Sequence, residues 1–414
     1  MIPDTNFNIF DLYHEVIQES IKYQIMMKIF NNPQITFVNL YLDLAISKSS
    51  CSRHIEQLNA FFASYHCQIN FSKATPLQGD NHQIRFLFYN LLWGLNQDEI
   101  IPASKQLDDL SNFLLDFIPE ITYMTLKKIR LGFYIFQVSS KHGFYIDVDF
   151  TIIESPYLSF DDFHNKLDEL GFLADCRDLA TKELESRYLY FLCCRSNLLT
   201  LDVCRKMADK IAPINDPMIH YFIDKLQDHY QITLRNDETT CLGINLSLFF
   251  KEASLFYGRA KTFDLEKLVD IFHRTREKSA NSIQNFLESV YDDNPKIKQL
   301  TKNFPSLHLY CKMILRIILS KHQYPIKLLV QSSISTLHRE ALISQIKSRT
   351  PFPVAIYSFY QLGDDMPDGI ISNWLPDKKY RDVPFFSISL FFTEWNEADL
   401  AHFLNRIVAK KLII

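Results

Sequence analysis

The chain has 414 residues, 47% hydrophobic and 22% charged, with a formal net charge of −4. This is ordinary for a soluble globular protein, and the length predicts two to four domains. The charge balance argues against a nucleic-acid surface spread over the whole molecule, although one small domain can supply such contacts inside a neutral chain.

Glycine is scarce, at nine residues, and phenylalanine abundant, at 34, which points to helices packed on helices. Neither G-x-G-x-x-G nor G-x-x-x-x-G-K-[ST] occurs, so no glycine-rich phosphate loop is expected. The eight cysteines lack C-x-x-C spacing and sit among apolar neighbours, as in "YFLCCRSNLL". They read as buried free thiols, with no metal site and no cofactor. The start, "MIPDTNFNIFDLYHEV", has no basic and apolar leader pattern, and no apolar run reaches ~18 residues. A cytoplasmic protein without membrane spans is expected.

Along the chain, Ile17, Ile21, Ile25 and Ile29 recur at four-residue steps and predict a core-facing helix over 16–31, stopped by "NNP". A short helix with Phe37, Leu40, Tyr41 and Leu44 on one side follows, broken at Ala45-Ile46-Ser47. Ser47 is a good N-cap for the next helix, because its hydroxyl can accept an orphan N–H of the first turn. That helix, in "AISKSSCSRHIEQLN", has an inner face of Cys51, Ile55, Leu58 and Phe62. "CQINFSKATPLQG" then predicts a strand, a turn and a return strand.

Helix, helix, tight turn, helix and hairpin is the order of a winged helix-turn-helix. A recognition helix enters the major groove by its N-terminal end, where short hydroxyls and flexible cations reach phosphates and base edges. Lys48, Ser49, Ser50, Ser52 and Arg53 occupy that end, and Lys73 lies in the hairpin; these six are the candidate DNA contacts. A helix whose polar face only meets water is the alternative, and periodicity leaves both open. Residues 1–90 carry six Lys/Arg (22, 28, 48, 53, 73, 85) against seven Asp/Glu (4, 11, 15, 19, 43, 56, 80), so the patch is sparse and its affinity salt-sensitive.

Helical patterns recur over 96–205 ("LDDLSNFLLDFI", "TYMTLKKIRLGFYIFQV", "FDDFHNKLDELGF", "ESRYLYFLCCRSNLL"). They recur again over 206–322 ("MIHYFIDKLQDHY", "CLGINLSLFFKEASLF", "LEKLVDIFHRTREKSANSIQNFLESVY", "SLHLYCKMILRIIL"), as if one unit were duplicated. From Tyr324 the texture changes. "PIKLLVQSS", "PVAIYSFY", "DGIISN" and "PFFSISL" are short apolar runs, interleaved with the helix "LHREALISQIKS" and closed by "EADLAHFLNRIVAKKL". That alternation predicts a small α/β domain with a parallel sheet. The fold expected is mainly α and multidomain: a winged helix-turn-helix, two tandem all-α helical bundles and a C-terminal α/β domain.

"AISKSSCSRHIEQLN" followed by "LQGDNHQIRFLFYNLLW" resembles the Mga/AtxA family of Gram-positive virulence transcription regulators. The family pattern is roughly i-S-x-s-T-x-x-R-x-i-x-x-L-N, then l-x-G-x-E-x-x-I-R. Ile46, Ser47, Arg53, Ile55, Leu58, Asn59, Gly79, Ile84 and Arg85 match it, with Ser50 at the threonine position and Asn81 at the glutamate. The resemblance implies a winged helix with linker helix over 1–95 and two phosphotransferase-regulation-like helical domains over 96–205 and 206–322. An enzyme IIB-like domain would then occupy 323–414. It further implies a dimeric regulator, with double-stranded promoter DNA and phosphotransferase-system phosphocarrier proteins as partners.

The chain departs from the family in three places. The family has two N-terminal winged helices, and this sequence starts just before the second. The usual phosphorylated histidine of the first helical domain falls on or near Tyr134, and 120–141 contain no histidine; His142 lies beyond. "CLGINLSLFFKEASLF" has none either, which leaves His308 as the regulatory phosphorylation candidate against a bland surface reading; His220, His229 and His273 sit among polar residues and read as ordinary. In the last domain, Val330-Gln331-Ser332-Ser333 places glutamine where an active enzyme IIB has its nucleophilic cysteine, so the fold is expected without the chemistry.

A phosphotransferase-responsive scaffold that does not bind operator DNA is the competing reading. An enzyme is the third: Cys193 and Cys204 have no matching His/Asp arrangement, and Asp364-Asp365 reads as a solvated turn.

Overall fold

A computed structural model describes residues 15–95, 100–118, 120–207, 214–258, 277–322, 326–333, 335–349, 354–362, 365–388, 399–400, 402–404 and 406–407. They are mainly helical, with a small parallel sheet near the C-terminus, as the periodicities predict. Two compact units are present, one of 1–272 with 287–314, the other of 273–286 with 315–414.

The first unit begins with helices α1 (Ile21–Asn31), α2 (Phe37–Asp43) and α3 (Lys48–Phe62) and the strands β1 (Gln68–Ile69) and β2 (Leu77–Gln78). The linker helix α4 (Asn81–Gly94) follows. The helix expected over 16–31 is interrupted. Ser20 takes extended backbone (ψ 121°), and the Gln24 amide donates to the Gln18 carbonyl across the break. Ile25 and Ile29 are buried, whereas Ile17 and Ile21 are half-buried.

The helical region that follows has two sets of helices. In the first, α5 (Lys105–Phe117), α6 (Tyr123–Lys141) and α7 (Phe160–Glu169) precede α8 (Leu179–Ser196); α6 and α7 both pack on α8. In the second, α9 (Leu201–Lys206) and α10 (Pro217–Tyr230) pack on α11 (Asn236–Leu255), as does α13 (Pro295–Asn303) beyond α12 (Glu277–Asp293). The next helix is α14 (Ser306–Lys321). Local chemistry sets most of these starts: Ser104, Thr122, Ser159, Asp178, Thr200, Asp216 and Asn294 each accept a first-turn N–H with the side chain. Sequence periodicity missed α9 and α13, which are too short to show a repeat, and residues 265–276 of one expected helix lie outside the described residues.

Two buried ion pairs tie the linker helix and these two sets together. Arg85, on α4, donates to both carboxylate oxygens of Glu185 on α8 (2.5 and 2.9 Å) and to the Phe144 carbonyl (2.7 Å). Its side chain is 1% exposed and that of Glu185 0%. Glu185 also accepts the Ile146 N–H (2.9 Å), and the guanidinium lies 5.4 Å from the Phe136 and Tyr188 rings. Arg195, at the end of α8, donates to Glu252 of α11 (2.6 Å) and stacks over Tyr310 (4.2 Å). The linker helix is also bonded to the end of α11: the Gln83 amide donates to the Tyr257 carbonyl and accepts its N–H (both 3.0 Å). His66 stacks on Tyr257 at 3.8 Å.

In the second unit, β3 (Ile326–Gln331), β4 (Val354–Tyr357), β5 (Gly369–Ser372) and β6 (Phe385–Ser387) form an all-parallel sheet in the order β4-β3-β5-β6. Helix α15 (Thr336–Arg349) follows β3 and the short α16 (Phe359–Leu362) follows β4. Leu328, Val330 and Ile371 face one core with Leu342, Ile346, Phe403 and Ile407; Leu329 and Ile370 face another with Leu362 and Tyr380. Both faces are covered, so the strands read as continuous apolar runs. A Cβ at Gly369 would sit 2.3 Å from Ile407 Cδ1, so a side chain there would require Ile407 to move. The closing helix is present over described residues between 399 and 407; 408–414 lie outside them.

Removing one half of a buried pair strands the other charge, at a cost of about 3–5 kcal/mol. Arg85→Met is therefore expected to lower the denaturant midpoint of the first unit sharply, and Arg85→Met combined with Glu185→Leu to restore much of it. A double variant no more stable than the single one would show that the pair is not what holds α4 to α8.

Candidate nucleic-acid interface

The turn between α2 and α3 is closed by backbone hydrogen bonds. Leu44 ends α2, Ala45 N–H donates to the Leu42 carbonyl (3.0 Å), and Ile46 N–H donates to the Tyr41 carbonyl (3.1 Å). This is a Schellman closure, and Ala45 takes the left-handed position (φ 50°) where glycine is usual. Ser47 then returns to extended backbone, and its Oγ accepts the Ser50 N–H (3.1 Å), the cap predicted from sequence. Thr36 caps α2 likewise through the Asn39 N–H.

Helix α3 buries Cys51, Leu58 and Phe62 and half-buries Ile55. Lys48, Ser49, Ser52 and Arg53 are exposed on its N-terminal half; Ser50 is half-buried, and its N–H serves the cap. The Ser49 hydroxyl lies 3.1 Å from that of Ser47. A second left-handed residue, His66 (φ 54°), turns the chain into β1, which pairs antiparallel with β2. In the connecting turn Asn70 Oδ1 accepts the N–H and hydroxyl of Ser72 (3.0 and 2.7 Å), and Lys73 is exposed beside it. The five contacts predicted on α3 therefore share one helix end, and Lys73 lies on the hairpin.

Two motif residues have roles that their spacing did not reveal. Asn59, on α3, donates from Nδ2 to the Ile69 carbonyl (2.9 Å) and accepts the Ile69 N–H on Oδ1 (2.6 Å). It clamps the hairpin to α3 as a strand neighbour would. Gly79, at φ 145°, passes so close to Cys67 that a Cβ would lie 2.9 Å from its sulfur. Apart from its place in the family pattern, the sequence signal for Asn59 is a polar residue on the half-buried side of an amphipathic helix.

Elsewhere, His308 lies in the first turn of α14, half-buried, with Nδ1 2.8 Å from the Tyr291 hydroxyl. Burial, and to a lesser degree Lys312, pushes its pKa down to about 4, so the ring is neutral at pH 7. Tyr134 is half-buried on α6; His220 and His229 are exposed on α10, and His273 lies outside the described residues. Gln331 ends β3, and the loop after it is pinned to β5, with Ser333 N–H donating to Asn373 Oδ1 (2.8 Å) and Asn373 Nδ2 donating to Ser333 Oγ (2.9 Å).

All eight cysteines are free; six are buried, and Cys176 and Cys194 are half-buried. Burial pushes the Cys193 thiol far up, and Cys204 is fully buried. Asp365 is paired with Lys327 (2.7 Å), and Asp364 lies outside the described residues. Among the described residues no helix is long and apolar enough to cross a membrane.

The helix, turn, capped helix and hairpin over 36–78 define a winged helix-turn-helix. Residues 5–92 match the family model of the Mga helix-turn-helix domain. The match supports the resemblance to the Mga family and indicates a DNA-binding transcription regulator. No curated protein matches the chain.

The left-handed conformation costs alanine about 1–2 kcal/mol, and glycine returns part of that gain as chain entropy. Ala45→Gly is expected to raise the melting temperature slightly, by a net stabilisation of about 1 kcal/mol or less. A clear loss of stability in a thermal melt would mean that Ala45 does not hold this turn.

Proposed function

We propose that the chain is a transcription regulator of the Mga/AtxA type, an activator that binds double-stranded promoter DNA as a homodimer in the cytoplasm and responds to phosphotransferase-system phosphocarrier proteins. The observation that carries the DNA-binding mode is the end of α3: Lys48, Ser49, Ser52 and Arg53 stand exposed together beyond a capped turn. A helix docking by its N-terminal end brings such side chains to phosphates and base edges, with Ser50 and Lys73 as further contacts. A two-fold operator needs two such helices at fixed separation, which a homodimer provides.

In this reading residues 96–205 and 206–322 are phosphotransferase-regulation-like domains and 323–414 an enzyme IIB-like domain. The parallel sheet and the position of Gln331 at the end of its first strand support the last assignment. Glutamine cannot accept a phosphoryl group there, so that domain serves contacts rather than transfer.

His308 is the phosphoryl acceptor in this scheme. Its ring is neutral, the nucleophilic form, and it lies at the N-terminal end of α14, where added negative charge is favoured. By analogy with phosphorylated hydroxyls the modification adds about −1.5 to −2 charge and competes with the Tyr291 contact.

Arg53→Ala is expected to weaken promoter binding about tenfold or more, with an unchanged melting curve because the side chain is exposed. Wild-type affinity should fall steeply across a salt series. Equal retardation of promoter DNA by both proteins would remove α3 from the interface, and negligible affinity at every salt concentration would favour the scaffold. Incubation with the general phosphotransferase proteins and labelled phosphoenolpyruvate should label the wild type and not His308→Ala. Label retained in the variant would exclude this histidine.

A further inference from the structure

A cavity of about 240 Å³ lies among α4, α6, α8, α11 and α14. Much of its wall is aromatic, with Phe86 and Trp93 from the linker helix, Tyr188 from α8 and Tyr310 from α14. Two cations and one carboxylate line it: Lys128, Arg195 and Glu252. Arg195 donates from Nε to Glu252 and lies over the face of Tyr310, with its terminal nitrogens on the same guanidinium. Lys128 is half-buried, its ammonium 5.2 Å from the centroid of Trp93, and among the described residues it has no carboxylate partner. Desolvation and the nearby Arg195 both hold its pKa below the usual lysine range. A partly desolvated cation of this kind is expensive unless a counter-charge meets it.

We propose that this cavity binds a small organic anion, a carboxylate or phosphate monoester on an aromatic body, whose charged group meets Lys128 and Arg195 while its ring packs among Phe86, Trp93 and Tyr188. The volume exceeds the roughly 150 Å³ that holds a benzene ring and is below that of a typical drug-sized site. A monocyclic acid fits and a dinucleotide does not. Because the walls come from the linker helix and from both helical sets, the occupant bridges all three. The proposal goes beyond the DNA-binding reading and does not depend on it, since the ligand is read directly.

The test uses the full chain with benzoate, phenyl phosphate, inorganic phosphate and the neutral benzyl alcohol, followed by tryptophan fluorescence and thermal shift. At least one aromatic anion should saturate the fluorescence change and raise the melting temperature, and the response should vanish in Trp93→Phe fluorescence. Lys128→Met should weaken that binding about tenfold or more, as loss of a charge-assisted hydrogen bond does, and Lys128→Arg should retain it. The relative response to benzoate and phenyl phosphate tells which anionic group is preferred. No saturation by either aromatic anion up to ~10 mM, a concentration beyond weak specific binding, overturns the proposal. So does unchanged binding by a folded Lys128→Met, or equally tight binding of benzyl alcohol or of inorganic phosphate alone.

Discussion

The Arg85–Glu185 pair is the constraint on which the first unit depends. Two opposite charges, almost fully withdrawn from water, are tolerable only when nearly every polar atom has a partner. Here Glu185 accepts from both terminal guanidinium nitrogens and from the Ile146 N–H, while Arg85 also reaches the Phe144 carbonyl. These groups arrive from α4, α8 and the segment between α6 and α7, so the geometry is satisfied in one arrangement of those elements. Since α4 begins three residues after β2, fixing the linker helix also fixes the base of the hairpin and, through Asn59, helix α3.

The second pair, Arg195 with Glu252, repeats the device one step further along. It joins the end of α8 to α11, and the end of α11 is bonded back to the linker helix through Gln83 and stacked on His66. A winged helix held this way is not a loose bead on a linker. The segment ending α11 meets both the linker helix and the hairpin base, through hydrogen bonds and a stacked ring that have discrete arrangements rather than a continuous range. This gives physical form to the proposal that a DNA-binding domain answers to events in the helical sets behind it.

On the proposed enzyme IIB-like reading, the α/β unit keeps a fold while it lacks a chemical group. Its sheet order, its two covered faces and the tight approach at Gly369 are all present, yet the residue ending the first strand is Gln331. Fold and site have separate requirements, and apolar burial along the strands supplies the first alone.

What the sequence determined by itself is the local part of the structure. The four-residue spacing of Ile25 and Ile29, the hydroxyl of Ser47 beside a first turn and the apolar runs of the sheet act within a few residues, so they could be read without a fold. The end of α3 was legible for the same reason: Lys48, Ser49, Ser52 and Arg53 share a face through helix geometry alone. Tertiary structure decided the rest. Arg85 and Glu185 are 100 positions apart, Gln83 and Tyr257 are 174 apart, and no periodicity announces such partners. The neutral ring of His308, the clamp made by Asn59 and the cation of Lys128 facing a cavity are likewise properties of surroundings assembled from distant segments. Spacing carries information only over the reach of one helix or strand; burial and pairing across the chain are set when those elements pack.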